Sequence, residues 1–227
     1  ATLFIYNFQR IAKLKTATAF SGDRLIWMKR NLILANSITI IGLLASIGLF
    51  FLLEIQTVYL LFPVGVVALF YVGKFFVKTL GGFRDIPFLK VYFVSMSWVS
   101  VSVILPLLNN HENLTETVWL TGASIFLLVF AIAIIFDLRD ANLDEKTKRT
   151  VPQLVGKKWT ILIAIMALFF SMIFPVLIDV SNWIIALPVI VLGTILIVNA
   201  SEEKSDFYFS FYLDGILILP GLLSLFL

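Results

Sequence analysis

Three aspartates, Asp137, Asp140 and Asp144, stand at offsets of 0, 3 and 7 in the segment DLRDANLDEKTKRT. On an α-helix that spacing puts all three on one face. Carboxylates stacked in this way repel one another unless a cation joins them. Mg2+ is the best match, since it prefers oxygen ligands and typically takes one or two carboxylates together with substrate phosphates. Arg139, Lys146, Lys148 and Arg149 lie in the same segment and offer the donors that grip a diphosphate. The competing reading is a solvated loop whose basic half reflects membrane topology alone. Spacing does not choose between the two.

Other chemistries are closed off by composition. The chain has no Cys, which excludes disulfides, thiolate nucleophiles and Cys-ligated metals, and its one His excludes His-based metal sites. That residue, His111, reads as solvated in a polar loop, where Asn113-Leu114-Thr115 also matches a glycosylation sequon of low specificity. Asp214 falls about two turns into the last apolar run, where an acid either serves a function or pairs with a helical neighbour.

The elements that must position these residues are transmembrane helices. Of 227 residues 60% are hydrophobic and the mean hydropathy is +1.03, a balance that a soluble core of this size does not reach. Apolar runs predict spans near 32–53, 57–77, 87–108, 117–137, 158–179, 182–199 and 207–227. The opening run, residues 1–9, is too short to cross ~30 Å of hydrocarbon, and is expected to be the tail of a helix that begins before Ala1. Runs of this length exclude a transmembrane β-barrel, whose strands alternate polar and apolar residues. The expected fold is therefore an all-α, multi-pass transmembrane bundle forming one domain over residues 1–227.

Lys and Arg sort strictly by loop. They cluster at 10–30, 74–90, 139–158 and 204, while the alternate loops around Glu54–Gln56, Leu108–Glu116 and Asp179–Asn182 contain none. The positive-inside rule places the charged loops in the cytoplasm. It also supports the span count, because one span more or fewer would scramble the alternation.

The segment FDLRDANLDEKTKRTVPQLVG, residues 136–156, resembles the second aspartate-rich motif of the UbiA family of intramembrane prenyltransferases. The family pattern, D-x-R-D, then a third Asp, a basic stretch, T-x-P and Gly, lands on Asp137, Arg139, Asp140, Asp144, Thr150, Pro152 and Gly156. The resemblance implies a bundle of nine helices with aspartate motifs after the second and sixth. The chain would then lack helix one and part of helix two, and the span ending at Asp137 would be helix six. It further implies that Asp137, Asp140 and Asp144 bind Mg2+ and carry catalysis. A polyprenyl diphosphate donor and a lipophilic, typically aromatic acceptor are the implied partners, within the lipid bilayer of a bacterial-type plasma membrane; no nucleic acid is expected.

In this family the loop between helices four and five also lends cations to the diphosphate. On VGKFFVKTLGGFRDIPFLK these would be Lys78, Arg84 and Lys90, with Gly81-Gly82 as a hinge. Lys90, just past Pro87, is expected either to point into the bundle or to snorkel to the interface. With Arg139, Lys146 and Arg149 they form the expected diphosphate-binding set.

The resemblance breaks at the first motif. Where N-D-x-x-D-x-x-x-D is expected, this chain reads YNFQRIAKLK: Asn7 remains, but Phe8, Ile11 and Lys15 occupy the acid positions. Asn7 and Arg10 become substrate-binding candidates, with Arg10, Lys13 and Lys15 replacing one metal by fixed cations. Two functions follow. The first is an active prenyltransferase using Mg2+ at the second motif. The second is a non-catalytic relative that binds an isoprenoid lipid or scaffolds a membrane complex. An intact DLRDANLD favours the first, and the altered YNFQR segment favours the second.

Overall fold

The computed structural model describes residues 3, 4, 7, 8, 11, 14, 23–55, 57–59, 61, 62, 88–141, 150–201 and 203–226. The chain divides into two compact units, Ala1–Val58 and Tyr59–Leu227. Every regular element among the described residues is helical.

The first unit holds α1 (Asp23–Arg30) and α2 (Leu32–Phe50). α2 is apolar around its whole circumference, as a lipid-facing span is. Its buried positions, Ala35, Thr39 and Gly42, are small. The Thr39 hydroxyl donates to the Ala35 carbonyl at 2.7 Å, and Ser46 donates to Gly42 at 2.6 Å, so neither polar group requires water. Gly42 permits close approach: a Cβ there would stand 3.1 Å from the Phe4 backbone nitrogen.

The second unit is built from α3 (Leu89–Asn109), α4 (Glu116–Asp140), α5 (Val151–Ile178), α6 (Val180–Val198) and the shorter α7 (Tyr208–Ser224). Five helices, α2 to α6, are long and apolar enough to cross a membrane, consistent with an integral multi-pass membrane protein. α3 to α6 occupy the spans expected at 87–108, 117–137, 158–179 and 182–199, while at 207–227 the described helix α7 is shorter than a full span. Of the span expected at 57–77, residues 57–59, 61 and 62 are helical and the remainder lie outside the described residues.

α4 is the central helix. It packs mainly on α5 and α3, while α5 in turn packs on α6, and α7 lies on α6. Ala131, Ile134 and Ile135 of α4 and Leu168 of α5 are wholly buried between them. Apolar residues cover the outside as well (Leu162, Phe169, Leu192 and Ile195 are exposed), so the core is distinguished by fit and small side chains instead of by polarity. Buried Ser95, Thr160 and Ser171 each donate to a carbonyl of their own helix. Trp119 and Trp183 near one end and Trp159 near the other are exposed, as in an aromatic belt at a membrane interface.

Two local departures shape these helices. In α3 the segment Ser100–Ile104 widens into a π-helical turn just before Pro106, which cannot donate to the Ser102 carbonyl. In α5 the helix breaks at Gly156, with φ +80° and ψ 163°, a conformation almost closed to L side chains. The T-x-P-then-Gly pattern thus encodes a start, a short first turn and a swivel. Gln153 caps the start, its Oε1 accepting from the Thr150 N–H at 3.1 Å. A Cβ at Gly156 would meet nothing within 4 Å, so Gly156→Ala tests backbone strain alone. It is expected to cost ~1–3 kcal/mol of stability in detergent. An unchanged melting temperature would show that the break relaxes freely.

At the opposite end of the unit, Asp179 joins α5 to α6 by accepting from the Ser181 N–H at 2.8 Å. That backbone hydrogen bond, with the Ser181 side chain, holds its carboxyl below the ordinary carboxylate value. A cavity of about 270 Å³ lies nearby, bordered by Ser124, Met172, Pro175, Asn182, Leu217 and Pro220.

Candidate functional site

α4 is longer than a minimal span, and its charged residues ride on the extra length. Asp137 lies 21 residues beyond Glu116, roughly 32 Å along the axis, which is about the thickness of the hydrocarbon core. The sequence estimate of 117–137 ended this span at the first charge. The helix instead runs to Asp140, because backbone hydrogen bonding continues past the point where hydrophobicity stops. Asp137, Arg139 and Asp140 therefore stand on rigid helix at the end of the bundle.

Asp137 turns inward and is buried, its side chain only 3% exposed. The Lys90 ammonium, from the first turn of α3, forms an ion pair with its Oδ1. Of the two orientations expected for Lys90, the structure has the inward one. Phe88, with φ +65°, stands just before α3, and Lys90 in the first turn faces α4.

Asp140 turns to the other side and stays partly exposed. Arg139 meets it side-on, Nε donating to Oδ1 at 2.7 Å and Nη2 to Oδ2 at 3.0 Å. This two-point geometry is the strong form of the guanidinium–carboxylate pair. The remaining edge of the guanidinium reaches α7's leading turn, where Nη1 lies 3.5 Å from Asp206 Oδ1. Arg139 also covers two rings, its Cζ standing 4.9 Å from the Phe136 centroid and 5.4 Å from that of Phe209. Phe209 is wholly buried and belongs to a π-helical segment, Tyr208–Leu213, whose extra residue per turn changes the direction of its rings. Tyr208 anchors the same segment by donating its hydroxyl to the Leu196 carbonyl at 2.5 Å.

Lys90 of α3, Asp137, Arg139 and Asp140 of α4 and Asp206 beside α7 thus meet at one end of the unit. These are the ends that the Lys/Arg alternation assigns to a single side. The cavity beside Ser124 lies elsewhere, about 20 Å from Asp137 along α4, with the wholly buried Ala131, Ile135 and Leu168 closing the way between them.

Among the remaining expected site residues, Asn7 is described in the first unit, where its Nδ2 donates to the Leu3 carbonyl at 2.8 Å. Arg10, Lys78, Arg84, Asp144, Lys146 and Arg149 lie outside the described residues. Asp206 was absent from the sequence reading. A signal for it existed: the segment SEEKSD places Glu202, Glu203 and Asp206 beside a single Lys204 in a loop otherwise expected to be basic. Surplus acid there calls for a cation from another loop, and Arg139 is that cation.

The arrangement offers positive groups already oriented by carboxylates, at one end of an apolar bundle. Searches against protein-family models, curated proteins and solved structures return no match to this chain.

Proposed function

We propose that the protein is a membrane prenyltransferase, moving an isoprenoid group from a polyprenyl diphosphate to a lipophilic, aromatic acceptor at the cytoplasmic face of a bacterial-type plasma membrane. The observation that carries this reading is the pairing of Lys90 with Asp137 and of Arg139 with Asp140 at the end of an otherwise apolar bundle. The resemblance of residues 136–156 to an aspartate-rich prenyltransferase motif supplies the chemistry.

In that chemistry the bond between the prenyl C1 and the bridging oxygen breaks, and diphosphate leaves with the electron pair. The acceptor bonds to C1 and gives up a proton. In this reading Lys90 and Arg139 are the cations that meet the negative charge building on the leaving group, and cations in a water-poor site lower the barrier. The apolar bundle keeps water from the allylic cation.

As placed, Asp137 and Asp140 do not fit a resident divalent ion. Asp137 is buried against an ammonium, and both oxygens of Asp140 face Arg139. Among the described residues no group of three or more His, Cys, Asp or Glu side chains could hold a metal. Mg2+ therefore enters the proposal as the counter-ion that arrives with the diphosphate, supplying charge neutralisation on the leaving group when bound.

The test is transfer from labelled prenyl diphosphates of several chain lengths, with and without Mg2+. Turnover with any lipophilic phenol or quinol supports the proposal. Neither turnover nor diphosphate binding would remove it. The second reading, a non-catalytic relative that holds an isoprenoid lipid or a membrane complex, is favoured by one observation: both described carboxylates are already neutralised by the protein's own cations. Diphosphate binding without turnover is its expected signature.

A further inference from the structure

We infer that Asp206 is a positioning residue, which sets the aspartate face by holding Arg139 from the side opposite Asp140. The inference rests on the prenyl-diphosphate reading for its consequence, though its geometry stands without it. A guanidinium is a planar fork with two usable edges. One edge of Arg139 is spent on both oxygens of Asp140, and the other faces Asp206 Oδ1 at 3.5 Å. The rings of Phe136 and Phe209 fix the position of the guanidinium carbon. Neither ring fixes the direction in which the edges point; the two carboxylates constrain it.

Asp206 lies in the turn that opens the last helix, where a carboxylate is favoured by the helix dipole. That turn is itself tied down through Tyr208 to Leu196. Asp206 is thus a fixed point on a different helix from Asp140, and Arg139 is stretched between two anchors. Remove the outer anchor and Arg139 keeps its pair with Asp140, but the hold of the last helix on both is weakened. Movement of the last helix reaches the end of α4 through this side chain and through the contact of Phe209 with Phe136.

The chain has no Cys, so labels can be placed without a background. Spin labels at Glu203→Cys and Lys157→Cys, both exposed positions, would report the distance between the leading turn of α7 and the start of α5. Binding of Mg2+–pyrophosphate to the full chain in detergent is measured alongside. In Asp206→Asn the distance distribution is expected to broaden and pyrophosphate affinity to fall roughly ten-fold. Asp206→Glu, which keeps the charge and can bridge the 3.5 Å gap, is expected to restore both. A purely structural tether would broaden the distances while leaving affinity at the parental level, and would overturn the inference. So would an unchanged distribution in Asp206→Asn. If the parental chain itself fails to bind pyrophosphate, the prenyl-diphosphate reading falls and the positioning role that rests on it falls too, whereas binding in the parent with unchanged affinity in Asp206→Asn overturns the positioning role alone.

Discussion

Replacing Lys90 by Met is expected to destabilise the protein more than any other single change at the charged end. The Asp137 side chain is 3% exposed and shares its Oδ1 with the Lys90 ammonium. Removing one partner of a buried pair strands the other charge, at a cost of about 3–5 kcal/mol. In a chain of this size that corresponds to a melting temperature lower by roughly 10 °C. The reason is desolvation: the carboxylate has already lost its water, and the Lys90 ammonium is what compensates its charge at Oδ1. Replacing both partners removes the stranded charge, so Lys90→Met with Asp137→Leu should recover most of the loss. Thermal unfolding in detergent, followed by Trp fluorescence, reads all three proteins. A double variant as unstable as Lys90→Met would show that Lys90 acts through packing of its aliphatic stem.

Asp140→Ala should do the reverse, sparing the fold and removing the activity. Its side chain is 32% exposed, so its pair with Arg139 resembles a partly solvated ion pair and contributes only ~0–1 kcal/mol to stability. Its role in the proposed reaction is larger. Without it Arg139 loses its two-point partner, and the direction of the guanidinium is no longer held from the Asp140 side. Losing one preoriented charge at a developing anion is typically worth ~10²–10³ in rate, and prenyl transfer from a labelled diphosphate should fall by that much. Asp140→Glu should retain part of it. An undiminished rate in Asp140→Ala, with Arg139 intact, would place the chemistry elsewhere in the chain.

Much of the architecture was legible in the residue order because the bilayer is a simple selector. Twenty consecutive apolar residues have few stable alternatives to a helix, so α2 through α6 fall within a few residues of their expected places. Ends were harder to read, since hydropathy marks where lipid stops and not where a helix does. α4 runs three residues past its expected end, and α5 begins seven residues earlier than expected, across the break at Gly156. The candidate site was legible in part. DLRD announced itself because charge is costly near hydrocarbon and its spacing fits one helical face. Asp206 did not, because an acid in a polar loop has no periodicity to mark it.

Residue order alone was sufficient for a helical membrane protein with its basic loops on alternate turns, because length, hydropathy and the placement of Lys and Arg are one-dimensional properties. It also singled out Asp137, Arg139 and Asp140 as a unit. It could not assign their partners. Two carboxylates three residues apart share a helical face in projection, yet Asp137 faces α3 and meets Lys90, while Asp140 is held on the α7 side by Arg139. Lys90 lies 47 residues from Asp137, and Asp206, which holds Arg139 from the α7 side, lies 67 residues from Arg139 in the chain. Only the packing of α3 and α7 around α4 brings them within reach, and ion pairing depends on that reach, falling steeply over a few ångströms.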